Sequence, residues 1–160
     1  MKIGIISDTH DRLPKIEKAV DIFSENECSI IYHAGDFSSP FTVKAFKRSK
    51  IPLRGVFGNN DGDKEMIHKQ FSFIDAIIED AVLFDSIDNK TVAVVHYPKL
   101  AQKLCGKYDI VIFGHSHEKK FEKHGESVCI NPGEGCGWLT GEASAFIYDT
   151  KSNDGVFYTL

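Results

Sequence analysis

Residues 2–36, KIGIISDTHDRLPKIEKAVDIFSENECSIIYHAGD, decide how this chain is built. Ile3 to Ile6 is a short β-branched apolar run, the pattern of a strand covered on both faces. From Leu13 to Asn26 the residues Leu13, Ile16, Val20 and Phe23 return on one helical face, and Pro14 suits a first turn, where a missing N–H costs nothing. Ile30 to Tyr32 reads as a second buried strand. Strand, helix and strand in so short a stretch make a βαβ unit, which demands parallel pairing and predicts an α/β fold.

The same reading extends outward. Leu53 to Phe57, Val92 to Val95 and Ile110 to Phe113 are further apolar runs of strand length. Helices are expected from Pro40 to Arg48, from Lys64 to Phe73 and from Pro98 to Leu104. Ala81 to Phe84 and Thr91 to Val95 flank an Asp- and Asn-containing stretch, residues 85–90, and predict a hairpin. Short strands follow near Phe121, at Val128 to Ile130, at Ala143 to Tyr148 and at Gly155 to Tyr158, with Asn153-Asp154-Gly155 turning the last pair. With no repeat or linker, 160 residues suit one domain, 1–160, with a mixed sheet or two stacked sheets.

Composition narrows the functional classes. A net charge of −4 offers no bulk positive field for a nucleic-acid polymer, so an anionic partner must be attracted locally. Asp8 ends the first apolar run before it reaches the length of a signal peptide's hydrophobic region, and no stretch reaches membrane-spanning length. A cytoplasmic location without membrane contact is expected. Cys28, Cys105, Cys129 and Cys136 are widely spaced and read as reduced thiols, mostly buried, and Cys129 with Cys136 as packing rather than a zinc site.

The residue after each apolar run carries the chemistry, because in open α/β sheets ligands bind beyond the carboxyl ends of the strands. The five runs lead to Asp8 and His10, to Asp36, to Asn59, Asn60 and Asp61, to His96, and to His115 and His117. A lone strand-end Asp or Asn is ordinarily a turn or cap; the conjunction of five is what points to metal. In extended backbone residues i and i+2 face one way, so Asp8 with His10 and His115 with His117 are expected to form two pincers. Gly35, Gly58 and Gly114 each precede a candidate ligand and read as hinges that turn the chain off its strand. Seven donors exceed one zinc shell and fit two ions sharing a carboxylate, and four imidazoles favour Mn, Fe, Co, Ni or Zn over Mg or Ca. Two divalent cations against two carboxylates leave a positive surplus that selects an anion such as a phosphate ester. His33 is expected in the core, and His68, His124, Lys119 and Lys120 at the surface. Asn131-Pro132-Gly133 reads as a tight turn and Trp138 as an anchor for its Gly-rich loop.

The order D-x-H, G-D, G-N-x-D, H and G-H-x-H, from Asp8 to His117, resembles the calcineurin-like metallophosphoesterase superfamily. Within it, the chain is similar to the small bacterial and archaeal phosphodiesterases related to the retromer scaffold subunit. The resemblance implies a four-layer α/β/β/α sandwich of two mixed sheets flanked by helices. It also implies that Asp8, His10 and His117 hold one metal, that Asn59, His96 and His115 hold the other, and that Asp36 bridges them. A metal-activated hydroxide would then attack the phosphorus of a small phosphodiester in line, the metals being about 3.5–4 Å apart. Manganese is the first expectation for the pair, with nickel, cobalt, iron or zinc as alternatives.

Two positions depart from the family pattern. Asn60 stands where many members have histidine, and an amide cannot protonate a departing alkoxide as an imidazolium can. Asn60 is therefore expected to hydrogen-bond a phosphoryl oxygen, and substrates with good leaving groups are expected. Tyr97 follows His96 where relatives often have glycine, so its ring is expected to narrow the pocket. Asp61 is expected to orient Asn59, His10 or the local turn from behind the ligands. A phosphomonoesterase, a nuclease or a non-catalytic interaction scaffold of the same fold are the rival readings, and a homo-oligomer is left open.

Overall fold

The computed structural model describes all 160 residues. Eleven strands form two mixed sheets. The first, six-stranded, contains β1 (Lys2–Ile6), β2 (Ile30–His33), β3 (Leu53–Val56) and β4 (Ala76–Glu79), all parallel, with β10 (Ser144–Asp149) antiparallel beside β1 and β11 (Asp154–Thr159) antiparallel beside β10 at the edge. The second has β6 (Lys90–Val95), β7 (Ile110–Ile112) and β9 (Ser127–Pro132) parallel at its centre. Its antiparallel edges are β5 (Val82–Ile87) and β8 (Lys119–His124).

Four helices complete the layers: α1 (Leu13–Glu25), α2 (Val43–Phe46), α3 (Lys64–Phe71) and α4 (Pro98–Leu104). α1 buries Ile16, Ala19, Val20 and Phe23. Gly4 makes room for that contact, since a Cβ there would stand 2.7 Å from the Phe23 ring. Side chains of α1, α2 and α3 join the outward face of the first sheet in a core of 20 buried residues, and a second core of 15 fills the space between the sheets. A smaller core containing Ala101 of α4 with Val95, Val111 and Phe113 covers the far face of the second sheet. Three apolar layers separate four layers of structure, the expected α/β/β/α sandwich. No helix is long and apolar enough to cross a membrane.

Several local expectations are corrected. The hairpin turn is tighter than residues 85–90, because β5 runs on to Ile87 and only Asp88 and Asn89 turn, both with positive φ as a two-residue hairpin loop requires. β4 lay unread because its alternation is mostly exposed. The Pro40 to Arg48 helix is a 3-10 turn, Pro40–Thr42, followed by the single turn of α2. Asn131 and Pro132 end β9 instead of forming a turn. Cys105 is joined to Cys129 by a disulfide, Cα atoms 6.1 Å apart, so only Cys28 and Cys136 are free. The pair is a chain-separated contact brought together by α4 packing on the second sheet, which spacing alone does not reveal.

Candidate metal centre

All six inner parallel strands deliver their carboxyl ends to one rim, and hydrogen bonds stitch the two sheets together there. Gly135 N–H donates to Ser7 O at 2.8 Å, Cys136 N–H to Asp8 O at 3.0 Å, and His115 N–H to Asp8 Oδ2 at 3.0 Å. Asp8 follows β1, is fully buried, and leaves Oδ1 without any hydrogen-bond partner. That atom lies 3.4 Å from His117 Nε2. Burial alone would push the Asp8 carboxyl up, but His117 and Ser7 beside it hold it below the usual carboxylate value, so it stays ionised.

Asp36 follows β2 and occupies the middle of the rim. Its Oδ2 stands 3.6 Å from His10 Nε2 and 3.6 Å from His96 Nε2. Asn60 secures it twice, with backbone N–H to Oδ1 and Nδ2 to Oδ2, both at 2.8 Å. Asp61 accepts the N–H groups of Asp36, Ser38 and Gly58 at 2.7–3.0 Å, so of the roles expected for it the geometry favours the local turn. His96 Nδ1 lies 2.8 Å from Ala34 O; a carbonyl only accepts, so Nδ1 carries the proton and Nε2 presents a lone pair. Asn59 Oδ1 is 3.0 Å from that Nε2. His10 Nδ1 contacts Ser38 Oγ at 3.1 Å.

Two overlapping donor clusters result, Asp8 with His10 and His117, and Asp8 with Asp36 and His96, donor atoms in each within 4.8 Å of one another. These clusters do not include His115, whose ring centroid lies 5.0 Å from that of His96, on the solvent side. The residues fit divalent transition-metal ions. Buried carboxylates converge with the imidazoles of His10, His96 and His117, and Asp8 Oδ1, in particular, is a desolvated anionic oxygen that a cation would satisfy.

The pincers arise differently from the strand alternation expected. Asp8, His10, Asp36, His115 and His117 all have φ between +38° and +67°, so five of the seven candidate ligands sit in the left-handed region and not in extended backbone. Each such non-glycine residue costs on the order of 1 kcal/mol, a strain that packing elsewhere must offset. Of the glycines read as hinges, Gly35 does adopt positive φ. Gly58 and Gly114 instead provide room: a Cβ would fall 2.1 Å from Asp36 Oδ1 at the one and 2.0 Å from Ser7 Oγ at the other.

Glu134 was missed by the sequence reading. It follows β9, is 1% exposed, and places Oε1 3.3 Å from His117 Nδ1. It also accepts Leu139 N–H and Thr140 N–H at 2.8 Å and the Thr140 hydroxyl at 2.6 Å. Burial would push its carboxyl up, yet the Thr140 hydroxyl and the loop amides outweigh that and bring it down to about 2. The available signal was the strand Val128 to Ile130, whose parallel register with β7 puts the residues after it on the same rim. Asn131 Nδ2 bonds Gly114 O at 3.1 Å and Ser116 Oγ at 3.0 Å, bracing the His115–His117 turn. The Gly-rich loop is thus anchored by Glu134, while Trp138 is 63% exposed with the Arg12 guanidinium 4.3 Å over its ring. His33 is fully buried, as expected. Its Nδ1 accepts Gly35 N–H at 3.2 Å, and its Nε2 is 3.0 Å from Thr9 Oγ1.

Comparison with known proteins shows the family and the fold. A family model described as the calcineurin-like phosphoesterase superfamily domain matches residues 1–153. The chain is 38% identical over 159 residues to Phosphodiesterase MJ0936 of Methanocaldococcus jannaschii, covering 96% of each. It superposes on the solved structure of a novel archaeal phosphodiesterase with a TM-score of 0.93, at 37% identity and full coverage of both chains. Zinc-bound Vps29 from Entamoeba histolytica, a retromer subunit, shares the fold, with a TM-score of 0.72 at 17% identity over 99% of this chain and 91% of that one.

Proposed function

We propose, from the premise that this chain belongs to the calcineurin-like phosphoesterase superfamily, that it is a metal-dependent phosphodiesterase built as one domain, 1–160, around a dinuclear centre. Asp8, His10 and His117 would hold one ion and Asn59, His96 and His115 the other, with Asp36 between them. The observation that carries this reading is the position of Asp36 Oδ2, equidistant at 3.6 Å from His10 and His96. When bound, two divalent transition-metal ions, manganese first among the candidates, would polarise a phosphoryl oxygen and supply an ionised water at neutral pH. The name of the 38% identical relative supports a diester as the substrate.

The chain's own residues prepare that site. Asn60 fixes both oxygens of Asp36, and a phosphoryl oxygen arriving there would find the same amide as a donor. Ala34 O accepts from His96 Nδ1 and so leaves Nε2 as the ring nitrogen that would face a metal. Asn60 cannot serve as a proton donor to the leaving oxygen, which favours esters of acidic alcohols. We place the enzyme in the cytoplasm.

Chelator-stripped protein should not hydrolyse bis-p-nitrophenyl phosphate and should recover on addition of Mn²⁺. Asp36→Ala should lower kcat by at least about a hundredfold, since even a residue behind the ligands is worth tenfold to a hundredfold. Near-normal turnover by that variant, or by the stripped protein, overturns the proposal.

A further inference from the structure

Tyr97 and the α4 turn that follows it line a cavity of 570 Å³ together with Pro98, Lys99, Leu100, Lys103 and His115. His115 belongs both to this cavity and to the candidate ligand set, so the space opens directly beside the reacting phosphate's place. Tyr97 is 46% exposed, and its ring stands edge-on to those of His96 and His115 at centroid distances of 5.1 and 5.0 Å. The polypeptide therefore offers a flat apolar wall at one side of the centre.

The ionic charge along this wall is of one sign. Lys99 and Lys103 lie one helical turn apart on α4, both exposed, and no carboxylate lines the cavity, although acidic residues outnumber basic ones over the whole chain. Neither ammonium group is paired with a carboxylate, whereas Lys119 is paired with Glu142 and Lys120 with Glu122. Two uncompensated ammonium groups beside an aromatic wall form a local positive patch on a net-negative protein.

We propose that this cavity receives one arm of the phosphodiester, and that the favoured arm is an aromatic group carrying a further anion such as a second phosphate. Tyr97 and Leu100 contact the ring, and Lys99 and Lys103 bind the additional charge. The inference rests on the phosphodiesterase reading and names the substrate class of that same site.

The test compares two p-nitrophenyl diesters that differ by one phosphate: thymidine 5′-(p-nitrophenyl phosphate) and its 3′-phosphorylated form, with Mn²⁺-loaded enzyme and nitrophenol release as the readout. The 3′-phosphate should raise kcat/KM about fivefold, mainly through KM, as two solvent-exposed ion pairs allow. Raised ionic strength should erode the preference. In Lys99→Gln/Lys103→Gln the ratio between the two esters should fall to about one, whereas the remote Lys18→Gln should retain it. A ratio at or below one in the unmodified enzyme, or a preference undiminished in the double variant, overturns the inference while leaving a diesterase. Failure of both esters to turn over with metal overturns the phosphodiesterase reading itself, and the inference with it.

Discussion

Glu134 Oε1 lies 3.3 Å from His117 Nδ1, on the side of the ring away from Asp8 Oδ1, which faces Nε2 at 3.4 Å. The carboxylate thereby favours a hydrogen on Nδ1 and would leave the Nε2 lone pair for the proposed ion. Glu134→Gln keeps the size and can still accept from the loop amides, but it weakens that preference. Mn²⁺ affinity should fall by about tenfold to a hundredfold, with kcat at saturating metal much less affected. Unchanged affinity by calorimetric titration would show that Glu134 serves only the loop.

Asn60 makes its second prediction through what it lacks. An amide fastened to Asp36 cannot supply a proton to the departing oxygen. Rates for a series of phosphodiesters should drop steeply as the leaving group becomes more basic, aryl esters far exceeding alkyl ones. A flat dependence, with chemistry shown to limit the rate, contradicts this.

His33 sets a pH dependence of stability. Burial is the main cause that depresses its imidazole to about 3, against an ordinary 6.5. The native state therefore keeps it neutral where the unfolded chain binds a proton. Its contribution is fully present above pH 6.5 and is lost progressively as pH falls through that value toward 3, at about 1.4 kcal/mol per pH unit. Urea unfolding of the metal-free protein between those limits should show a slope shallower by about one proton in His33→Gln. Identical slopes would mean that His33 protonates without penalty in the fold.

Much of the architecture was legible because buried parallel strands leave uninterrupted β-branched runs, and Ile3 to Ile6, Val92 to Val95 and Ile110 to Phe113 were placed by that signal alone. β4 and the end of β5 were not: the apolar run Ala76 to Ile78 is only three residues long between Asp75 and Glu79, and β5 ends through the polar Asp85 and Ser86. At the site, residue types at strand ends located Asp8, Asp36 and His96. Their left-handed backbone was hidden, because φ at Asp or His is set by tertiary hydrogen bonds such as Asp8 N–H to Gly35 O and not by local composition. Glu134 lay hidden for a related reason: its importance comes from the parallel register of β7 and β9, a pairing between distant segments.

The central claim, that Asp36 stands between two metal ions, is tested most directly by counting them. Metal-saturated protein, freed of loosely bound ions and analysed by native mass spectrometry, should carry two Mn²⁺ per chain, and Asp36→Ala should carry at most one. A single ion in the unmodified chain, or two retained without Asp36, contradicts the account.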